Sequence, residues 1–443
     1  VLLLSSTSRA QAASGGTGRA PLTVAQMRAD LASFRSDIFT RDNSYSAASR
    51  AAAEARLQQL EGAIERITPV AFEVALAQIV ALADNGHTLA FPSVRARRYN
   101  RVPVRLTPFG DEFRVLRTTE TNADLLGARL VAIDGRAILV VRDSARTMAG
   151  GTPARRDRDA NYLMESPELL RAFGLATDGA SATYTFEALD GRRIERRLTG
   201  GLEEAGAPRG NADRWLYPEL LPAEDGKWRA LLPVDKAPWS LREPDRPFRW
   251  RAAPEIDAMV VQLRRTFTAP GNSITEFLDE MTRTITTVQP RNLVLDMRLN
   301  GGGNLNTARA FMKSLPTLVP GRIFVLTSPW TFSAAISSVG YLEQASPDRV
   351  TIVGEEVGDR LEFFAEGGPT TLAHSGIMIG IATQRHDYRN GCRDLADCHG
   401  PVVSNPIAVP TLAPDIAAPW TIAAYREGRD PTMEAVAAAL RRP

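Results

Sequence analysis

Lysine is scarce in this chain of 443 residues, with only Lys227, Lys236 and Lys313 set against a combined Lys and Arg count of 53. Chemistry that needs a lysine base is therefore confined to three positions. Net charge is also small, a formal +2, and the basic residues are scattered without interleaved aromatics. That pattern argues against a nucleic-acid surface, so no nucleic-acid partner is expected. No stretch is apolar for long enough to span a bilayer, which excludes a transmembrane helix. Cysteine is limited to Cys392 and Cys398, in the polar loop 387–399. In an oxidising compartment these two would close a local disulfide. The flanking His386 and His399 invite a zinc reading, but the spacing matches no usual structural zinc site, so no metal is expected.

The first residues, Val1-Leu-Leu-Leu4 followed by Ala10-Gln11-Ala12, fit the end of a secretory signal peptide. Residues 1–22 are accordingly read as a signal remnant and flexible linker, and the protein as secreted or periplasmic in a bacterial cell envelope. Residues 23–92 form a helical segment, with a strong helix over 51–67 and another that starts at Pro69. Asn85-Gly86 is expected to end that second helix with a left-handed cap, which leaves His87 at a cap-to-strand junction. Residues 93–200 read as short strands and turns, with strands at 102–106, 112–118, 129–133, 182–189 and 192–198. Asp134-Gly135 and Asp190-Gly191 supply hairpin signals. The Pro-, Trp- and charge-rich stretch 201–251 reads as a connection, and 252–443 as an α/β domain.

Two apolar runs in that last domain end in small-residue loops. Leu293-Val-Leu-Asp-Met-Arg298 breaks into Asn300-Gly-Gly-Gly-Asn304, and Ile323-Phe-Val-Leu-Thr327 leads to Ser333-Ala-Ala335. Short β-rich runs around a helix-length segment predict a βαβ unit in a parallel sheet, with both loops at the carboxyl ends of the strands. Helices are expected over 276–288 and 307–315. A glycine run lets bare N–H groups approach a substrate, and a serine opening a helix could present its hydroxyl beside them. The same residues also fit a Gly-rich turn and a serine that merely caps a helix.

These motifs resemble those of the C-terminal-processing (tail-specific) serine peptidases and their tricorn-like branch. The family pattern Asp-x-Arg-x-Asn-x-Gly-Gly is matched by Asp296-Met-Arg298-Leu-Asn300-Gly-Gly302-Gly303. The nucleophile turn is matched by Ser333-Ala334-Ala335-Ile336, and the tricorn-like Asp-Gly-His-Thr element by Asn85-Gly86-His87-Thr88. Gly127–Gly135 resembles a PDZ-like strand and turn, and Val353-Gly-Glu-Glu-Val-Gly358 the turn after the nucleophile helix. Ala413-Pro414-Asp415 and Gly428-Arg-Asp430 resemble C-terminal landmarks of the family. The resemblance implies an α/β (α+β multidomain) fold: a crotonase-like/ClpP-like α/β catalytic core, an N-terminal helical segment carrying His87, and a PDZ-like β-rich domain.

Activity is implied in the same way. Tail-specific members pair the serine with a lysine about twenty-five residues downstream, but here that turn, Gly354–Arg360, has none. A guanidinium such as Arg360 stays protonated and cannot serve as base. The tricorn-like solution, a histidine base, falls on His87. Ser333 is then the nucleophile, and the N–H groups of Gly302 or Gly303 and of Ala334 form the oxyanion hole. The orienting acid is not matched by motif; Glu356 or Asp359 is the choice, with Glu355 and Asp387 as alternatives. Asp296 and Arg298 are read as a structural pair that shapes the glycine loop. A polypeptide substrate is implied and no cofactor. The competing readings are a family member that only binds peptides or apolar ligands, and an acyl-CoA enzyme of the crotonase fold.

Overall fold

The computed structural model describes residues 22–95, 97–202, 212–393 and 395–441. The signal reading for residues 1–12 lies outside them. The chain divides into two compact units, Val1–Pro233 with Phe364–Gln384, and Val234–Phe363 with Arg385–Pro443. The division falls inside the expected connection, and the excursion 364–384 returns a piece of the C-terminal sequence to the first unit.

The first unit opens with helices α1 (Val24–Ser33), α2 (Ala47–Ala63) and α3 (Pro69–Ala81). Thr23 and Gln26 form a reciprocal capping box at α1, and Thr68 caps α3 with Pro69 in its first turn. Both devices satisfy N–H groups that the helix itself leaves unpaired. The end of α3 corrects the sequence reading. The helix stops at Ala81, with Leu82 donating back to Ile79 and Val80, and the left-handed residue is Asp84 (φ 50°), not Gly86. A short aspartate side chain tolerates that conformation. The glycine at 86 instead admits a neighbour: a Cβ placed on Gly151 would lie 3.3 Å from Gly86 Cα.

Beyond the two-residue strand β1 (Leu89–Ala90), an antiparallel sheet runs through β2 (Val104–Phe109), β3 (Glu112–Thr119), β4 (Arg129–Ile133), β6 (Ser181–Glu187) and β7 (Arg193–Thr199). The short strands β5 (Arg136–Ala137) and β8 (Trp228–Ala230) join β4 and β3. The Asp134-Gly135 hairpin is present, with both residues at positive φ, as a two-residue turn between right-twisted strands requires. Three helices between β5 and β6 were not expected: α4 (Ile138–Arg146), α5 (Pro153–Met164) and α6 (Pro167–Ala172). The β-branched start of α4 imitates a strand. The other two announce themselves only by Thr152-Pro153 and Ser166-Pro167, a capping side chain followed by proline. Phe72, Leu76, Leu106, Leu130 and Tyr184 share one core with Ile377 and Ile379 of the returning excursion. That excursion carries most of β14 (Glu362–Thr371) and β15 (Met378–Asp387), and β15 pairs with β1 at Gly380 and Leu89.

In the second unit, six strands take the order β16-β13-β12-β11-β10-β9. They are β9 (Phe248–Ala253), β10 (Ala258–Leu263), β11 (Asn292–Asp296), β12 (Ile323–Thr327), β13 (Val350–Gly354) and β16 (Ile416–Ala417). All pairings are parallel except β9 with β10. Helices α7 (Ile274–Val288), α8 (Leu305–Leu318) and α9 (Ala334–Ala345) form the successive crossovers, and α10 (Pro431–Arg441) ends the unit. Every residue of β10, β11 and β12 is buried, as parallel strands covered on both faces demand. The expected βαβ unit is β11-α8-β12, and its two loops lie at the carboxyl ends of adjacent strands. The whole is a mixed α/β, multidomain fold.

Candidate active site

Ser333 stands at the turn from β12 into α9. Its backbone adopts φ 58°, ψ −128°, and its side chain makes no capping hydrogen bond. The helix-cap alternative therefore does not describe this serine. A side-chain-bearing residue at positive φ costs about 1–3 kcal/mol unless its surroundings enforce it. The enforcement is visible. Phe332 N–H donates to Asn300 O (3.0 Å), Thr331 Oγ1 to Met297 O (2.9 Å), and Ser328 Oγ to Arg298 O. These bonds stitch the loop before Ser333 to the loop after β11.

The glycines of that second loop lie against the serine. A Cβ on Gly302 (φ 98°) would come within 2.6 Å of Ser333 Cβ, 2.7 Å of Phe332 O and 3.1 Å of Ala334 N. Gly302 N–H is already engaged, donating to Asn300 Oδ1 at 2.9 Å. Gly303 N–H and Ala334 N–H have no hydrogen-bond acceptor among the described residues. Gly303 is fixed by its neighbours: Thr266 N–H donates to Gly302 O and Asn304 N–H to Thr266 O, both at 2.9 Å. Ser333, Gly302, Gly303 and Ala334 are thus brought together, with two unengaged N–H donors flanking a half-exposed serine.

Beneath this loop sits an ionic clamp. Arg298 donates to both carboxylate oxygens of Asp296 (3.0 and 2.8 Å) and both of Asp430 (2.7 and 2.9 Å). Gln262 and Ser240 complete it, donating to Asp296 Oδ2 and Asp430 Oδ2. Burial alone would raise the pKa of Asp430, but Arg298 beside it, with Ser240 and Met433 N–H, holds it below the ordinary carboxylate value. Asp415 of the Pro-Asp landmark has its own task, accepting from Ile352 N–H at 2.8 Å and so tying β13 to the chain before β16.

The acids of the turn after β13 separate. Glu356 is exposed and makes no side-chain bond among the described residues. Asp359 is buried and accepts from Arg360 N–H at 2.9 Å, and its neighbour Gly358 donates to Thr331 O in the loop leading to Ser333. Glu355 is half-buried, and burial pushes its carboxyl pKa up. Asp387 is consumed by its own turn, accepting from the N–H groups of Arg389 and Asn390 at 3.0 Å each.

His87 belongs to the first unit, half-exposed, in a segment pinned on both sides. Asn85 exchanges hydrogen bonds with the backbone of Phe364 (2.9 and 3.0 Å), and Thr88 Oγ1 donates to Asp42 Oδ2 at 2.9 Å. A Cβ on Gly150 would meet Asn85 N at 2.7 Å, so this glycine lets a second loop close on the segment.

Cys392 and Cys398 place their sulfurs 2.16 Å apart, at bonding distance. No group of three or more His, Cys, Asp or Glu side chains among the described residues is disposed to hold a metal. Closing so short a loop is worth about 2 kcal/mol in the chain-entropy model. Cys392→Ser is expected to lower the melting temperature by several degrees, and alkylation without reductant to find no free thiol in the wild type. Two reactive thiols in the native protein would disprove the bond.

No family model matches the sequence, and no curated protein matches it. The fold, a parallel sheet with a serine elbow joined to a unit of helices and antiparallel sheet, does occur among solved structures. Mature CPAF superposes with a TM-score of 0.59 at 12% identity, over 94% of this chain and 97% of that one. CPAF complexed with lactacystin gives 0.58 at 12% identity, over 94% and 98%. The photosystem II D1 C-terminal processing protease gives 0.41 at 14% identity, over 95% and 98%. At these identities the likeness to CPAF establishes the fold.

Proposed function

We propose that this chain is an exported serine endopeptidase of the tail-specific, tricorn-like kind. Ser333 Oγ attacks the peptide carbonyl carbon while its proton passes to His87. The carbonyl oxygen, now an oxyanion, is held by Gly303 N–H and Ala334 N–H. Collapse breaks the C–N bond, the proton moves from His87 to the leaving amine, and water then hydrolyses the acyl ester by the same relay. Asp359, buried in a turn that bonds to the Ser333 loop, is preferred over exposed Glu356 as the acid that orients the base. The reading asks for no metal or organic cofactor. The antiparallel unit is assigned a PDZ-like role, receiving an extended substrate along a strand edge. The cysteine pair supports an oxidising compartment.

The observation that carries the proposal is the conformation of Ser333: positive φ, no capping bond, and a glycine too close to bear a side chain. A structural serine has no need of that arrangement. Labelling with a fluorophosphonate probe tests it, in wild type, Ser333→Ala and His87→Ala. Labelling is expected in the wild type and lost in both variants. Loss in the Ser333 variant alone would remove His87 from the mechanism. A folded wild type that resists the probe with peptide present would leave a binding protein.

A further inference from the structure

We propose that Tyr388 is a positioning residue for Ser333, fixing the start of α9 through a buried hydrogen-bond relay; this rests on the peptidase reading above. Tyr388 is completely buried, and its hydroxyl lies 2.6 Å from Ser337 Oγ and 2.8 Å from His386 Nδ1. Ser337 is one helical turn beyond the nucleophile, and its N–H points back to Ser333 O at 3.4 Å. The relay therefore reaches the turn whose first residue carries the strained backbone. Such strain persists only where surrounding contacts over-determine it.

The far end of the relay is equally fixed. His386 is stacked on Phe363 (centroids 4.8 Å apart, planes 9° apart) and on His399 (5.2 Å, 25°). Phe363 also meets Tyr388 edge-on at 5.6 Å. The backbone of Tyr388 is held at both ends, with its N–H donating to Leu361 O at 2.8 Å and its O accepting from Val409 N–H at 3.0 Å. His399 N–H donates to Arg385 O and Arg385 N–H donates to Asp397 O, which ties the cysteine loop to the strand that carries His386. A buried tyrosine hydroxyl needs a partner in any role, but here one partner is Ser337, in the first turn of the helix that Ser333 opens, and the other is the stacked His386. Hydrogen bonds inside such a dry network are stronger than in water, and an unmade one is costly.

Kinetics of full-length Tyr388→Phe, Ser337→Ala and the double variant test this. Each single change is expected to lower kcat and the probe-labelling rate about tenfold with KM little changed, since the loss is in alignment rather than substrate binding. The double variant should be no slower than the slower single one, because both remove the same bond. A purely structural role would lower the melting temperature while leaving kcat of the folded protein intact, and that result would overturn the proposal. Losses that multiply, or that appear in KM alone, would overturn it as well. A folded wild type that never reacts with the probe would defeat the peptidase reading and this inference together; a reactive wild type with equally reactive variants would defeat only the inference.

Discussion

Gly302→Ala is expected to fold and yet to lose peptide hydrolysis and fluorophosphonate labelling by about two to three orders of magnitude, the scale seen when an oxyanion donor is displaced. Two effects act together at this position. The backbone sits at φ 98°, which L side chains avoid, and the added Cβ would face Ser333 Cβ at 2.6 Å and Phe332 O at 2.7 Å. Neither neighbour is the flexible end of a long side chain, so relief requires the loops themselves to part. Parting them moves Gly303 N–H and Ala334 N–H away from the serine. Stability should fall by only about 1–3 kcal/mol, the ordinary cost of overpacking. Gly301→Ala is the matched comparison, because a Cβ there meets nothing within 4 Å and its φ is not positive. Comparable activity loss in both variants would show that the loop is merely sensitive, and that close approach at Gly302 is not what matters.

The same contacts explain which parts of the protein could be read from the chain. The β11-α8-β12 unit was legible because its signal is local: three apolar residues in a row, a glycine loop, a helical period and four apolar residues in a row. The first unit was less legible where helix and strand preferences overlap. Ile138 to Val141 is apolar and mostly β-branched, yet it opens α4, because only tertiary packing of one amphipathic face decides between the two. The excursion 364–384 carries no local mark at all, since its pairing partner, Leu89, lies some three hundred residues away in the chain. Within the site, Ser333 and the glycines could be found by motif. That Gly302 N–H is spent on Asn300 could not, because the choice between two adjacent N–H groups depends on one side-chain rotamer. Tyr388 was invisible for a related reason: nothing in Arg385-His-Asp-Tyr388 indicates that its hydroxyl will meet Ser337.

Arg298→Met should destabilise the second unit by about 3–5 kcal/mol at neutral pH, the cost of leaving buried charges without their partner. Methionine keeps the unbranched apolar stem and loses the guanidinium, so beside a packing loss the missing charge falls on Asp296 and Asp430, whose side chains are 2% and 11% exposed. The pH dependence identifies the cause. In the wild type, Asp430 has its pKa depressed by Arg298, so the stability it contributes is complete above the unfolded value of about 3.9 and is lost as pH falls below it. Removing Arg298 leaves burial dominant, and burial raises a carboxyl pKa. Asp430 in the variant then binds its proton more tightly folded than unfolded, so stability declines as pH rises through its new pKa. The two curves therefore converge on acidification. Urea unfolding at pH 8, 6 and 4.5 is expected to show a gap between wild type and variant that narrows steadily. A gap that stays constant across this range would mean that Arg298 acts through packing alone, and that the Asp-x-Arg motif and the distant Gly-x-Asp landmark are not held together by charge. Because Arg298 O also accepts from Ser328 in the loop before Ser333, the variant should lose labelling faster than it loses fold as urea is added. The clamp, on this view, keeps the glycine loop and the loop before Ser333 in register, and Asp430 of the Gly-x-Asp landmark reaches Ser333 through it.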